Sequence, residues 1–172
     1  MYKTPNNAYF CDTLCATEYA YANKEVGKKI KHKAQKKSLK DNDRSLRMRE
    51  AQKAFNAYIR ARDKGQPCIS CGSIPNFSSH IGGSGIQAGH YKSRGAHPEL
   101  AYEELNCHVQ CYKCNVHLSG NIKGYRPSLI DKIGLENVEW LEGPHEPKKY
   151  TCEQLKEIEL KYKDKIKELE SE

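Results

Sequence analysis

Residues 107–117, CHVQCYKCNVH, decide the fold. Cys111-x2-Cys114 has the spacing of a metal knuckle, and a second pair, Cys68-x2-Cys71, lies upstream with 39 residues between the two. Each CxxC turn presents two thiolates on the same side, so two turns complete a tetrahedral four-sulfur shell for zinc. Buried or redox-active thiols would explain a lone CxxC, but a matched pair in a reducing compartment favours the metal. Four thiolates leave no open coordination position, which makes this zinc structural rather than catalytic. Of the other cysteines, Cys107 and Cys152 read as buried small hydrophobes. Cys11-x3-Cys15 reads equally as half of a second metal site or as plain thiols.

Outward from the knuckles, periodicity supplies the elements. Residues 107–110 form a strand entering the second knuckle, residues 86–91 form an earlier one, and residues 92–104 join them as a long loop. Residues 73–85 (SIPNFSSHIGGSG) are loop-like, and a helix is expected to begin at 115–119. Upstream, residues 17–61 carry almost no Gly or Pro beyond Gly27 and read as helix, interrupted near Asp41-Asn42-Asp43. Charge surrounds residues 28–40, whereas Leu46, Ala54, Phe55, Tyr58 and Ile59 recur at helical spacing, so a solvated arm precedes a docked helix. Downstream, residues 126–133, stopped by Gly134, and residues 135–141 form two short helices. Thr151 and Gln154 make a capping box, after which Leu155, Ile158, Tyr162, Ile166 and Leu169 draw one apolar stripe, expected to pack on residues 44–60.

The chain has 172 residues and a net charge of +7. Residues 24–64 alone hold 15 Lys and Arg against 5 Asp and Glu, a net +10 that leaves −3 for the remainder. Such a block attracts polyanions by counterion release, and charge alone permits membranes, nucleic acids and acidic proteins. No stretch approaches the roughly 18 apolar residues of a membrane span, and no basic region followed by an apolar core opens the chain. The expectation is a soluble, cytoplasmic protein without a membrane partner.

Between and just after the knuckles stand His90, Asn106 and Asn115, in register with the cysteine frame. HNH nucleases resemble this order: a His ending the first strand, an Asn before the second knuckle, and an Asn or His directly after it. Phosphodiester hydrolysis needs a water deprotonated near neutral pH, which a neutral, oriented imidazole can do, so His90 is the expected general base. Charge building on the phosphate calls for a divalent Lewis acid, Mg²⁺ or Mn²⁺, with Asn115 as a ligand and His117 or His108 as its companion. Asn106 would orient the loop carrying His90 through side-chain to backbone hydrogen bonds. Lys92, Arg94, Lys113 and Lys123 would face DNA phosphates near this centre.

The blocks FNAYIRARDKGQPCISCG, AGHYKSRGAHPEL, NCHVQCYKCNVHLSGN and YRPSLIDKIGLENVEWLE closely resemble the lambdoid phage NinG (Rap) recombination proteins, over about two-thirds of the chain. That resemblance implies a structure-specific endonuclease acting on Holliday junctions and D-loops in the bacterial cytoplasm, and an N-terminal zinc finger of which Cys11 and Cys15 are the second half. The cysteine frame also looks like that of phage endonuclease VII, a junction resolvase with Asp before its His, where this chain has Gly89. The architecture expected is α+β: a small zinc-stabilised HNH (ββα-metal) core with a long basic N-terminal helix and flanking C-terminal helices. Its segments are a cysteine-bearing start at 1–23, a basic helical arm at 24–64, the nuclease core at 65–143 and an amphipathic helix at 144–172. A homodimer would supply the two active sites that symmetric resolution needs. The competing reading is a non-catalytic zinc-stabilised DNA-binding recombination adaptor, and a third is an HNH nuclease acting on ordinary duplex.

Overall fold

The structure, a computed structural model, describes residues 2–3, 9–74 and 85–171. Two compact units divide between Asp43 and Arg44. The first holds two short antiparallel strands, β1 (Tyr2–Lys3) and β2 (Tyr9–Phe10), and the helix α1 (Thr13–Asp41). Asp12 caps α1, its carboxylate accepting from the Cys15 amide at 2.8 Å. No residue of α1 is buried, which is the solvated arm that its all-round charge predicts.

The second unit is built on a two-stranded antiparallel hairpin, β3 (Ile86–His90) with β4 (Cys107–Cys111), in which Gly89 faces His108 and His90 faces Cys107. Two strands alone cannot hold themselves together in water. Here a layer of helices lies on each face. On one face pack α2 (Arg44–Arg62) and α5 (Cys152–Ser171), whose Phe55, Ile59 and Tyr162 form a buried cluster with Cys107. The expected stripe is realised, with Leu155 and Tyr162 inside and Leu169 at the frayed edge. Phe55 meets Tyr162 edge-on at 4.9 Å. Thr151 and Gln154 exchange the two hydrogen bonds of a capping box at the start of α5.

On the other face lie α3 (Ile122–Ile133) and α4 (Leu135–Glu142), carrying Tyr125, Leu129, Val138 and Leu141, all fully buried with Tyr91 and Leu100. Each such side chain contributes roughly 1.5–3 kcal/mol by leaving water. The helix α3 begins four residues before the start that sequence suggests at Arg126 and runs through Pro127. Gly124 and Pro127 disguise it, since both are poor helix residues. Gly124 is present because α3 runs hard against the first knuckle: a Cβ there would stand 2.1 Å from the Ser70 carbonyl oxygen. The helix expected at 115–119 is instead a single π turn, Lys113–His117. Left-handed backbone at Ser119, Gly120 and Asn121 ends it. The loop at 92–104 carries a short 3-10 turn, Pro98–Leu100, and 75–84 of the expected loop at 73–85 lies outside the described residues. Among the described residues, no helix is long and apolar enough to cross a membrane.

Polar stitches join helix to hairpin. Arg62 donates to the Glu104 carbonyl at 3.1 Å and the Cys107 carbonyl at 2.8 Å, and buried Asp63 accepts from the Val109 amide at 3.1 Å. Burial opposes ionisation of Asp63, but Arg62 and Lys132 override it and hold the carboxyl below its usual range.

Gly89 answers to a steric demand. A Cβ at this position would stand 1.9 Å from Oε1 of Gln110, whose side chain fills that space. Gly89→Ala should therefore cost about 1–3 kcal/mol in urea denaturation. Combined with Gln110→Ala, the penalty should be less than the sum of the single losses, because the clash is gone. Strict additivity would contradict this packing.

Candidate metal centre and catalytic cleft

The four knuckle sulfurs of Cys68, Cys71, Cys111 and Cys114 converge, all lying within 4.8 Å of one another. Cys71 and Cys111 are 3.9 Å apart. The first knuckle turns on Gly72, whose amide donates to the Cys68 carbonyl at 2.8 Å and whose φ of +70° suits glycine. Around the second, the Cys114 amide points at Cys111 Sγ (3.5 Å) and Asn121 Nδ2 at Cys114 Sγ (3.4 Å). N–H groups aimed at sulfur favour thiolate and orient ligands. The hydroxyl of Ser73 holds the Cys71 thiol down to about 6. The set can hold a metal ion, and among the described residues it is the one group of three or more His, Cys, Asp or Glu side chains that can. Cys11 and Cys15 lie against each other at the start of α1 and belong to no such group among the described residues.

Beside this cluster opens a polar cleft of about 460 Å³ that brings together His90, Asn115 and Arg94, with Asn56, Gln87 and Ser119. His90 ends β3, and its Nε2 lies 3.0 Å from the Ala101 carbonyl. A carbonyl only accepts, so Nε2 carries the proton and Nδ1 keeps its lone pair. Nδ1 meets the Cys107 sulfur at 3.6 Å, and burial drives that thiol's pKa far up, keeping it protonated. Burial likewise pushes His90 down to about 4, against the raising effect of Ala101. The imidazole is neutral at ordinary pH.

Asn106 is fully buried. Its Nδ2 donates to the carbonyls of Lys92 and Leu100, both at 3.0 Å, and its Oδ1 accepts from the Lys92 amide at 2.7 Å. Those bonds clamp the loop leaving His90. The remaining candidates fall elsewhere. His108 is buried on the opposite face of the hairpin, 3.3 Å from the Tyr125 hydroxyl, and burial drives it down to about 3. His117 is exposed, edge-on to Tyr112 at 5.2 Å, and does not line the cleft. Lys92 lies over the Tyr91 ring at 5.8 Å, while Lys113 and Lys123 are exposed on the π turn and the first turn of α3. Sequence reasoning missed Asn56, Gln87 and Ser119. The one signal for Asn56 is a polar i, i+4 pair at the margin of an apolar stripe, realised as Gln52 donating to Asn56 at 2.7 Å.

Fold and site together define an α+β protein with a small hairpin, flanking helices and a four-cysteine cluster able to hold a metal ion. The chain belongs to the family described as Bacteriophage Lambda NinG protein, whose model matches residues 1–172. It is 42% identical over 141 residues to "Protein ninG" of Escherichia phage 933W, covering 82% of this chain and 66% of that protein. It is 36% identical over 182 residues to the proteins of the same name from Salmonella phage P22, covering 95% of this chain and 85% of the other, and from Escherichia phage lambda, covering 95% and 84%. The chain thus spans just under two-thirds of the 933W protein's length. No solved structure matches it.

Purified protein should carry one firmly held metal ion per chain by elemental analysis. Cys68→Ser or Cys114→Ser should abolish it and lower the thermal midpoint by about 10 °C or more, since metal binding to such a centre is folding free energy. Full metal content in either variant would show that the cluster is not the site.

Proposed function

We propose that the chain is a metal-dependent HNH-type endonuclease of phage recombination, cleaving branched DNA such as Holliday junctions and D-loops. The observation that carries this reading is the shared cleft of His90 and Asn115 beside the four-cysteine centre. Zinc suits that centre: Zn–S bonds of about 2.3 Å put the sulfurs of a tetrahedron about 3.8 Å apart, against 3.9 Å for Cys71 and Cys111.

In this mechanism His90 takes the proton from the attacking water through Nδ1, the water replacing the 3.6 Å contact with the Cys107 thiol, while Ala101 holds the ring by Nε2 and Asn106 fixes the loop behind it. Arg94 pairs with a phosphate oxygen. Asn115 would offer an amide oxygen to a Mg²⁺ or Mn²⁺ ion, and because no carboxylate lines the cleft among the described residues, substrate phosphate and water would supply the other ligands. Such an ion supplies Lewis-acid stabilisation of the developing charge.

The second reading, a zinc-stabilised adaptor without catalysis, draws support from Gly89: where endonuclease VII-like sites have Asp, this chain has no side chain, and Gln110 closes the space.

Wild type should cleave a labelled four-way junction in Mg²⁺ or Mn²⁺ faster than a linear duplex. His90→Ala should lose about a hundredfold or more in rate while still binding. No cleavage by wild type in either metal selects the adaptor. Binding should weaken steeply with salt, the slope of log K against log salt being about −0.9 per phosphate engaged. The pH dependence has a definite sign. A base held near 4 is neutral and competent at every pH above that value. The rate should therefore stay level down to about pH 6 and fall only as pH approaches 4. An acid limb at 6.5 or higher would rule out the buried imidazole as base.

A further inference from the structure

A groove of about 620 Å³ adjoins the cleft and shares Asn56 and Arg94 with it. One wall is the outward face of α2, and the other comes from residues 98–102 and 148–150. Arg44, Arg49, Lys53, Arg60, Arg94 and Lys148 line it, and no carboxylate does. Arg49, Lys53, Arg60 and Arg94 form no ion pair with an acidic side chain among the described residues. Arg60 is moreover half-buried, and that burial lowers its pKa. An unpaired cation in that position is costly unless an anion joins it.

Two rings in the wall, Tyr102 and Tyr150, are held by their neighbours, and Lys148 lies over the Tyr150 ring at 4.8 Å. Tyr102 stands edge-on to Phe55 (6.0 Å) and to Tyr150 (5.1 Å). Tyr150 donates its hydroxyl proton to the Glu99 carbonyl at 3.2 Å and accepts at its own carbonyl from Arg44 at 3.1 Å. Rings held in this way lose little freedom when something stacks on them. A row of cations that can track a backbone, set opposite fixed aromatic rings, is a recognition pattern for unpaired nucleotides, and every base has a face to stack.

We infer that this groove binds an unpaired DNA strand, with bases against Tyr102 and Tyr150 and phosphates along Arg49, Lys53 and Arg60, and leads it past Arg94 to His90. The inference rests on the reading of the His90 cleft as a DNA-processing centre and adds the form of DNA it receives. It gives a physical reason for preferring branched over continuous duplex: strands part at a branch.

The test is fluorescence anisotropy of the full chain with a labelled oligo(dT) and with a blunt duplex of equal length, without added Mg²⁺ or Mn²⁺ so that no cleavage intervenes. The double variant Arg49→Glu/Lys53→Glu should bind oligo(dT) about tenfold or more weakly, and Tyr150→Ala about tenfold, with duplex affinity changed by less than about threefold. If the charge reversals do not fold, Arg49→Ala/Lys53→Ala takes their place. Photocrosslinking of iododeoxyuridine-containing oligonucleotide should label the peptide holding Tyr150. Unchanged oligo(dT) binding in all variants, equal losses for strand and duplex, or displacement of the strand by polyglutamate as readily as by oligo(dT) would overturn the inference. Failure of the nuclease reading looks different: wild type would bind oligo(dT) through the groove yet cleave no junction.

Discussion

Convergence of four cysteine sulfurs is the constraint on which the second unit depends. Its sheet has two strands of five residues each, too little to stand alone. The centre ties the turn after α2 to the far end of β4, and the polar network beside it extends that tie. Gln110 reaches from β4 to Ser70 at 2.6 Å and to the Gly120 carbonyl at 2.7 Å. Asn121 touches both Cys114 and the Ser70 carbonyl. First knuckle, second strand, π turn and α3 thus meet around one metal-sized point, and α3 can approach closely because residue 124 is glycine.

Strand alternation then sorts the histidines. His90 and Cys107 share the face covered by α2 and α5, whereas His108 lies under Tyr125 on the α3 face. One-residue offsets in a strand carry opposite consequences: one imidazole opens into a cleft with Asn115, and the other becomes interior packing. The same alternation places Cys107, one of the cysteines outside the knuckles, against His90 rather than against the metal centre.

Much of this was legible in the sequence because it depended on local rules. The paired CxxC turns, the capping box before α5, the break after Asp41 and the stripe joining α2 to α5 all express spacing or periodicity. Asn106 could be assigned to loop orientation because Asn side chains readily bond backbone. What escaped depended on contacts between distant segments. Gly124 and Pro127 concealed the start of α3, since only the approach to Ser70 explains the glycine. His117 and His108 looked equivalent as companions for Asn115 until the hairpin's faces and the π turn separated them from the cleft. The cations of α2 were legible only as part of a block attracting polyanions, because helical periodicity cannot say that residues 98–102 and 148–150 stand opposite.

The lock between Gly89 and Gln110 has a bearing on how such proteins vary. Two positions on neighbouring strands share one volume, and Oε1 of Gln110 is buried there without a hydrogen-bond partner. A lineage acquiring a carboxylate at 89 must first shorten the residue at 110, and shortening it leaves the Ser70 hydroxyl and the Gly120 carbonyl only their own 3.3 Å hydrogen bond. Neither step is neutral alone. Among relatives the two positions should therefore change together, as a single two-residue character, and an intermediate combining a side chain at 89 with glutamine at 110 should be rare.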